Sequence, residues 1–146
     1  MRTMDPRPDS EYLAALGWAA YCYLGLEWRV VYILHWSDPS KPVAELCSLT
    51  GGHLARSLGD LWTKDPSHAE LAKRFGDLVD RRNDMAHAHP ATQSDPEPAQ
   101  RLFRHETKRP RRKVEWIDGA WLSGFTEDVQ ALSRDLEPVR NEIKPA

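Results

Sequence analysis

Apolar residues recur at helical spacing along most of the chain, and one stretch near the last third changes character. From Ser10 to about His35 they fall almost all round a helix. The 15 residues from Tyr12 to Leu26 carry no charge, and Glu27 and Arg29 follow. All four tyrosines (Tyr12, Tyr21, Tyr23, Tyr32) and three of the six tryptophans (Trp18, Trp28, Trp36) lie in this segment. Asp9 or Ser10 can cap it, and Pro39 follows its end. A helix apolar on every side is enclosed by neighbours or covered by a second copy of the protein, and the two readings are compatible. The uncharged run is shorter than the ~20 residues of a spanning helix, and Glu27 and Arg29 would be costly in a bilayer. No membrane span is therefore expected.

Beyond the Trp36–Pro42 turn, Val43 to Cys47 predicts a short helical piece. Gly51-Gly52 interrupts it before a helix from about His53 to Trp62. Ser67 or Asp65 caps the next helix, Glu70 offering the second half of a capping box with Ser67. That helix runs to about Ala88, because Pro90 disfavours helical geometry at His89. Residues 90–98 read as a Pro/Ser/Asp loop. Leu102-Phe103 on one side, and Val114, Trp116 and Ile117 on the other, predict two short strands around a basic tip. The last helix, about Gly119 to Ile143, places Leu122, Phe125, Val129, Leu132, Leu136 and Val139 on one face. The predicted fold is mainly α: a bundle of about four to five helices with a small β-hairpin insertion before the last helix. It forms one domain over residues 1–146, with 1–9 a flexible N-terminus and 90–118 a loop and basic hairpin.

A chain of 146 residues, 40% hydrophobic and 29% charged, fits one globular domain and excludes wholesale disorder. Lys and Arg total 20 against 22 Asp and Glu, so net charge points to no partner. Its distribution does. Residues 101–115 hold seven basic and two acidic side chains, leaving an acidic remainder. Cys22 and Cys47 are the only cysteines, which argues against a disulfide framework or a thiolate zinc site and for a cytoplasmic setting. The opening residues Met1–Glu11 are polar, with two prolines, and predict no secretory signal.

The segment Leu78-Val-Asp-Arg-Arg-Asn-Asp-Met-Ala-His-Ala-His-Pro90 carries the candidate chemistry. On a helical wheel Phe75, Leu78, Val79, Met85 and Ala86 form one apolar stripe about Leu71, at ~100° per residue. Arg82 falls inside that stripe. Asn83 and His87, an i, i+4 pair, share its flank. A guanidinium facing a core is costly unless paired or put to use. Its structural explanation is an ion pair with Glu27, and that of His87 is a helix-end imidazole favoured by the macrodipole. His87-Ala-His89 lacks further residues at ligand spacing, so neither a metal nor another cofactor is expected.

Taken together, Arg82-Asn83-Asp84-Met85-Ala86-His87 resembles the R-x4-6-H signature of HEPN-domain proteins. The order of helices resembles that family over most of the chain, while the specific motif covers six residues. The resemblance implies metal-independent RNA endonuclease activity in a homodimer that brings two motifs together. RNA brings its own nucleophile, the 2′-OH. His87 would serve as general base or acid, Arg82 would hold the scissile phosphate and its developing charge, and Asn83 would orient the imidazole or donate to phosphate. The products would be a 2′,3′-cyclic phosphate and a 5′-OH. A toxin or defence effector checked by a cognate antitoxin protein is one form of this reading; a non-catalytic HEPN-like dimerisation or partner-binding module is the alternative. The basic hairpin lies outside the family's shared core. From their charge alone, Arg104, Lys108, Arg109, Arg111, Arg112 and Lys113 form an electrostatic arm for RNA or a solvated hairpin end.

Overall fold

The computed structural model describes residues 6–108, 111, 112 and 114–146, with residues 107, 108, 111 and 112 described by backbone alone. Its helices are α1 (Ser10–Ser37), α2 (Val43–Cys47), α3 (Gly51–Leu61), α4 (Pro66–Ala86) and α5 (Gly119–Ile143). Four of them begin where a side chain accepts an N–H that the helix leaves unpaired. Asp9 accepts from Tyr12 N on α1, Thr50 from His53 N on α3, Asp65 from Ser67 N and His68 N on α4, and Asp118 from Trp121 N on α5. Ser67 does not cap α4; its hydroxyl donates to Asp65 Oδ1 at 2.8 Å. Gly51 and Gly52 open α3 instead of interrupting it. A Cβ on Gly51 would stand 3.0 Å from Tyr23 Oη and 3.1 Å from Val79 Cγ1. The residue is small because α1, α3 and α4 meet there.

Pairs along the helices fix their directions. Arg29 meets Glu137, and the Arg140 guanidinium lies over the Trp36 ring. Tyr12 meets Ile117 at the other end. Contacts that advance together make α1 and α5 parallel neighbours. Arg74–Asp135 at 2.7 Å and Arg81–Asp128 at 2.6 Å run in opposite senses, so α4 lies antiparallel to α5. Tyr23, Leu26, Val30 and Ile33 of α1, Phe75 of α4, and Phe125, Leu132 and Leu136 of α5 fill the space between them, each at most 1% exposed.

The bundle does not enclose α1. Leu13, Trp18, Tyr21, Leu24 and Trp28 are 42%, 52%, 71%, 58% and 51% exposed. Among the described residues no helix is long and apolar enough to cross a membrane.

Between α4 and α5 the two strands predicted around the basic tip pair antiparallel as expected, and it is the predicted loop before them that differs. Residues 90–98 contain most of a strand, β1 (His89–Gln93), which pairs with β2 (Ala99–Arg104). Proline survives at position 90 because β1 is an edge strand, where a missing N–H need not break the ladder. The strands β3 (Thr107–Lys108) and β4 (Arg111–Arg112) form a separate antiparallel pair, and β5 (Glu115–Ile117) returns to β2. The main sheet is antiparallel in the order β1-β2-β5. Its row Pro90–Leu102–Ile117 includes the fully buried Ile117 and Leu102, which packs on the core. The Tyr12 hydroxyl ties the sheet to α1, donating to Ile117 O at 2.6 Å and accepting from Leu102 N at 3.0 Å.

Candidate functional site at the end of α4

The C-terminal half of α4 is anchored by the buried Leu78 and Val79, and the helix stops at His87. The His87 N–H donates to Asn83 O at 3.0 Å, and Ala88 N reaches back to Met85 O. Backbone pairing thus closes the helix without using the His87 side chain, and the residue is exposed. Arg82, half-buried, places its guanidinium 5.8 Å from the centre of the Tyr23 ring and donates from Nη1 to Asn83 Oδ1 at 3.4 Å. A cation at that distance from an aromatic face is stabilised by roughly 0.5–2 kcal/mol. Burial raises the pKa of the Tyr23 phenol, the charge of Glu27 adds to the rise, and Arg82 opposes it. Tyr23 thus feels both charges that an ion pair would have joined. Among the described residues no ion pair links Arg82 to Glu27, and the ring beneath the guanidinium supplies its packing.

Asp84 was not marked by the apolar stripe, since the wheel sets it on the far side of α4. It is nevertheless only 8% exposed. The inner face of β2 covers it: Arg104 Nε lies 3.4 Å from Asp84 Oδ1, and Arg104 Nη1 donates to the His87 carbonyl at 3.4 Å. Arg104, a candidate phosphate contact by its charge, is turned inward here and braces the end of α4. No helical wheel carries this information, because the covering element comes from a strand 17 residues or more downstream. Of the other basic candidates, Lys108 lies on β3, and Arg111 and Arg112 on β4. Arg109 and Lys113 fall outside the described residues.

The outer face of the sheet adds residues that periodicity did not single out as a group. His89, Phe103 and Trp116 are direct cross-strand neighbours in β1, β2 and β5. Ring centres of Phe103 and Trp116 are 4.7 Å apart, as are those of Phe103 and His105.

A groove of about 590 Å³ lies elsewhere, between α1 and α5. Trp28, Tyr32 and Trp36 wall it together with Arg29 and Arg140. The α5 residues that face α4, Asp128 and Asp135, are not among its lining, so it opens away from the motif. Burial pushes the Cys22 thiol on its wall upward, which opposes thiolate reactivity there. Among the described residues no three His, Cys, Asp or Glu side chains gather as a metal-binding group. No protein-family model matches the chain, and no curated protein or solved structure matches it.

Proposed function

We propose that the protein is a metal-independent RNA endonuclease of the HEPN type, acting as a homodimer. The observation that carries this reading is the end of α4. There an exposed imidazole follows, five residues on, a guanidinium that is half-buried over Tyr23 and tied to Asn83. Cleavage of RNA by its own 2′-OH needs a proton acceptor, a proton donor and a stabiliser of phosphorane charge. His87 supplies one proton-transfer group per chain, so a two-fold pair supplies both. Arg82 supplies the charge, and the carbonyl of Asn83 aligns it. The exposed apolar face of α1 supports a dimer, since contiguous patches of this kind on a soluble domain mark interaction surfaces. A toxin or defence role, with a cognate antitoxin as partner, is the biological form this activity takes in the reading.

The packing of Arg82 on Tyr23 also favours a second reading, in which the pair braces the bundle and the domain binds partners without catalysis. One experiment separates the two. Total RNA is incubated in EDTA with the wild-type protein and with His87→Ala, and the fragment ends are analysed. The expected outcome is cleavage by the wild type alone, leaving cyclic phosphate and 5′-OH ends. Cutting by His87→Ala at the wild-type rate, or loss of wild-type cutting in EDTA, overturns the mechanism. Absence of cleavage by either protein on every RNA tried supports the binding module.

A further inference from the structure

We infer that the outer face of the β1-β2-β5 sheet is a stacking platform for the bases of single-stranded RNA, set directly beside His87. The identity of the strand as RNA rests on the endonuclease reading; the platform itself rests on the sheet. Successive residues of a strand point to opposite faces. Leu102 and Ile117 point into the core, and Arg104 points to Asp84 on α4. His89, Phe103 and Trp116 therefore occupy the opposite face in one row across three strands. His105 extends the row beyond β2, its ring centre 4.7 Å from Phe103 and 6.4 Å from His89.

Strands lie ~4.8 Å apart, so the row spans about 10 Å, enough for about two bases. His89 and His105 are exposed, and Phe103 and Trp116 are half-buried, largely against one another. Four adjoining rings are more than a three-stranded sheet needs to hold its register, and they lie on the face that contributes nothing to the bundle core. Charge selects the occupant. The platform belongs to a segment that, beyond Arg101 and Arg104, which pair with Asp9 and Asp84, holds five more basic residues against two acidic ones in sequence, in a chain that is otherwise acidic. An aromatic surface within the basic part of the molecule fits a polyanion with flat faces, which describes single-stranded nucleic acid.

The geometry also joins the platform to the proposed chemistry. His89 is two residues from His87, so their Cα atoms are at most about 7 Å apart. Arg104 holds the His87 carbonyl from β2, which keeps the end of α4 in register with the row. A base stacked on His89 and Phe103 would leave its neighbouring phosphate near His87, so the platform positions the strand.

The test measures binding in the His87→Ala background, so that cleavage cannot consume the probe. The probes are a single-stranded RNA of about ten nucleotides and an abasic ribose-phosphate oligomer of the same length, read by fluorescence anisotropy. Base-bearing RNA should bind about tenfold more tightly than the abasic oligomer, the effect of one good stack. Phe103→Leu and Trp116→Leu remove a ring and keep an apolar side chain, and should each abolish most of that difference while leaving the abasic affinity unchanged. His89→Ala and His105→Ala, at exposed positions, carry the same test should either leucine variant fail to fold. Equal affinity for the two oligomers would overturn the platform, as would displacement of RNA by polyglutamate at equal charge, which would assign the face to an acidic protein. The endonuclease reading fails separately. Base-dependent binding with no cleavage by the wild type leaves the platform standing, and cleavage that ignores all four substitutions removes the platform alone.

Discussion

At the scale of single residues, Arg82 and His87 lie five residues apart at the end of α4 and differ in role as well as in position. The imidazole is exposed beyond the last buried turn, so truncating His87 removes little packing, and surface changes of this kind move stability by less than ~0.5 kcal/mol. The Arg82 side chain is half-buried over Tyr23, so Arg82→Ala should lose about 1–2 kcal/mol through the lost ring contact and packing. Both variants should be inactive on RNA, and only Arg82→Ala should show a lowered Tm; equal Tm values would mean the ring contact contributes nothing. Tyr12 provides a sharper structural test. Its hydroxyl serves two backbone groups, Ile117 O and Leu102 N, so Tyr12→Phe should cost about 1–3 kcal/mol in denaturant melts. Burial raises its pKa above the ordinary tyrosine value of 10.0. The unfolded chain therefore loses that proton first, and stability is full below pH 10 and falls as pH rises through and above it. In Tyr12→Phe the alkaline loss should be smaller than in the wild type, and an unchanged alkaline limb would show that the hydroxyl's burial does not matter. At this scale the sequence was informative about type and poor about surroundings. The i, i+4 pairing of Asn83 and His87 follows from spacing, whereas the burial of Asp84 and the ring under Arg82 depend on which distant strand and helix arrive there.

The elements divide along the same line between local and distant causes. Asp9, Thr50, Asp65 and Asp118 mark helix starts by capping chemistry that acts within three residues, and α2 and α5 have the limits their patterns predict. The strand β1 was not legible, because its segment, rich in Pro, Ser and Asp, pairs with β2 and has little strand pattern of its own. Only the partner makes it a strand. Asp9 joins the two kinds of cause. It caps α1 by accepting from Tyr12 N at 2.8 Å, and its other oxygen accepts from Arg101 Nη1 of β2 at 2.8 Å. The backbone hydrogen bond from Tyr12, followed by the side-chain hydrogen bond from Arg101, holds its pKa below the ordinary aspartate value of 3.8. The sign follows from linkage: the unfolded chain takes up the proton first, so the contribution is present above pH 3.8 and is lost as pH falls below it. Asp9→Asn should flatten the acid limb of a Tm–pH profile and speed amide exchange in both the first turn of α1 and β2. Faster exchange in α1 alone would show that the link to Arg101 does not hold the sheet.

For the molecule as a whole, the open question is what covers α1. The chain's apolar first helix is compatible with burial on every side or with a second copy, and the bundle covers only the side that faces α2, α3 and α5. Leu13, Gly17, Tyr21, Leu24 and Trp28 follow one another by four, four, three and four residues, so they share one face about 22 Å long at 1.5 Å per residue. From the exposures of Leu13, Trp18, Tyr21, Leu24 and Trp28, this face offers on the order of 600 Å² of largely apolar surface, near the ~800 Å² per partner of a standard interface. A two-fold antiparallel pairing centred on Tyr21 is self-complementary in size. It sets Gly17 opposite the second copy's Gly25, where an added Cβ meets nothing in the single chain, and Trp28 opposite Ala14. It also brings Glu11 of one copy toward Arg29 of the other. If the proposed homodimer uses this face, Tyr21→Glu places two carboxylates at the axis, and Trp28→Glu puts a charge against the second copy's apolar surface. Either should raise the dimer dissociation constant by at least about thirtyfold, the effect of losing one interface hot spot. Neither should lower the stability of the single chain much, because both side chains are already half or more exposed. Sedimentation at tens of micromolar, with Tm measured alongside, checks both statements. A wild type that sediments as a monomer ends the homodimer reading, and variants that remain dimeric move the interface off α1. Where the variants do become monomers, binding to the sheet platform should persist, because the aromatic row needs only one chain.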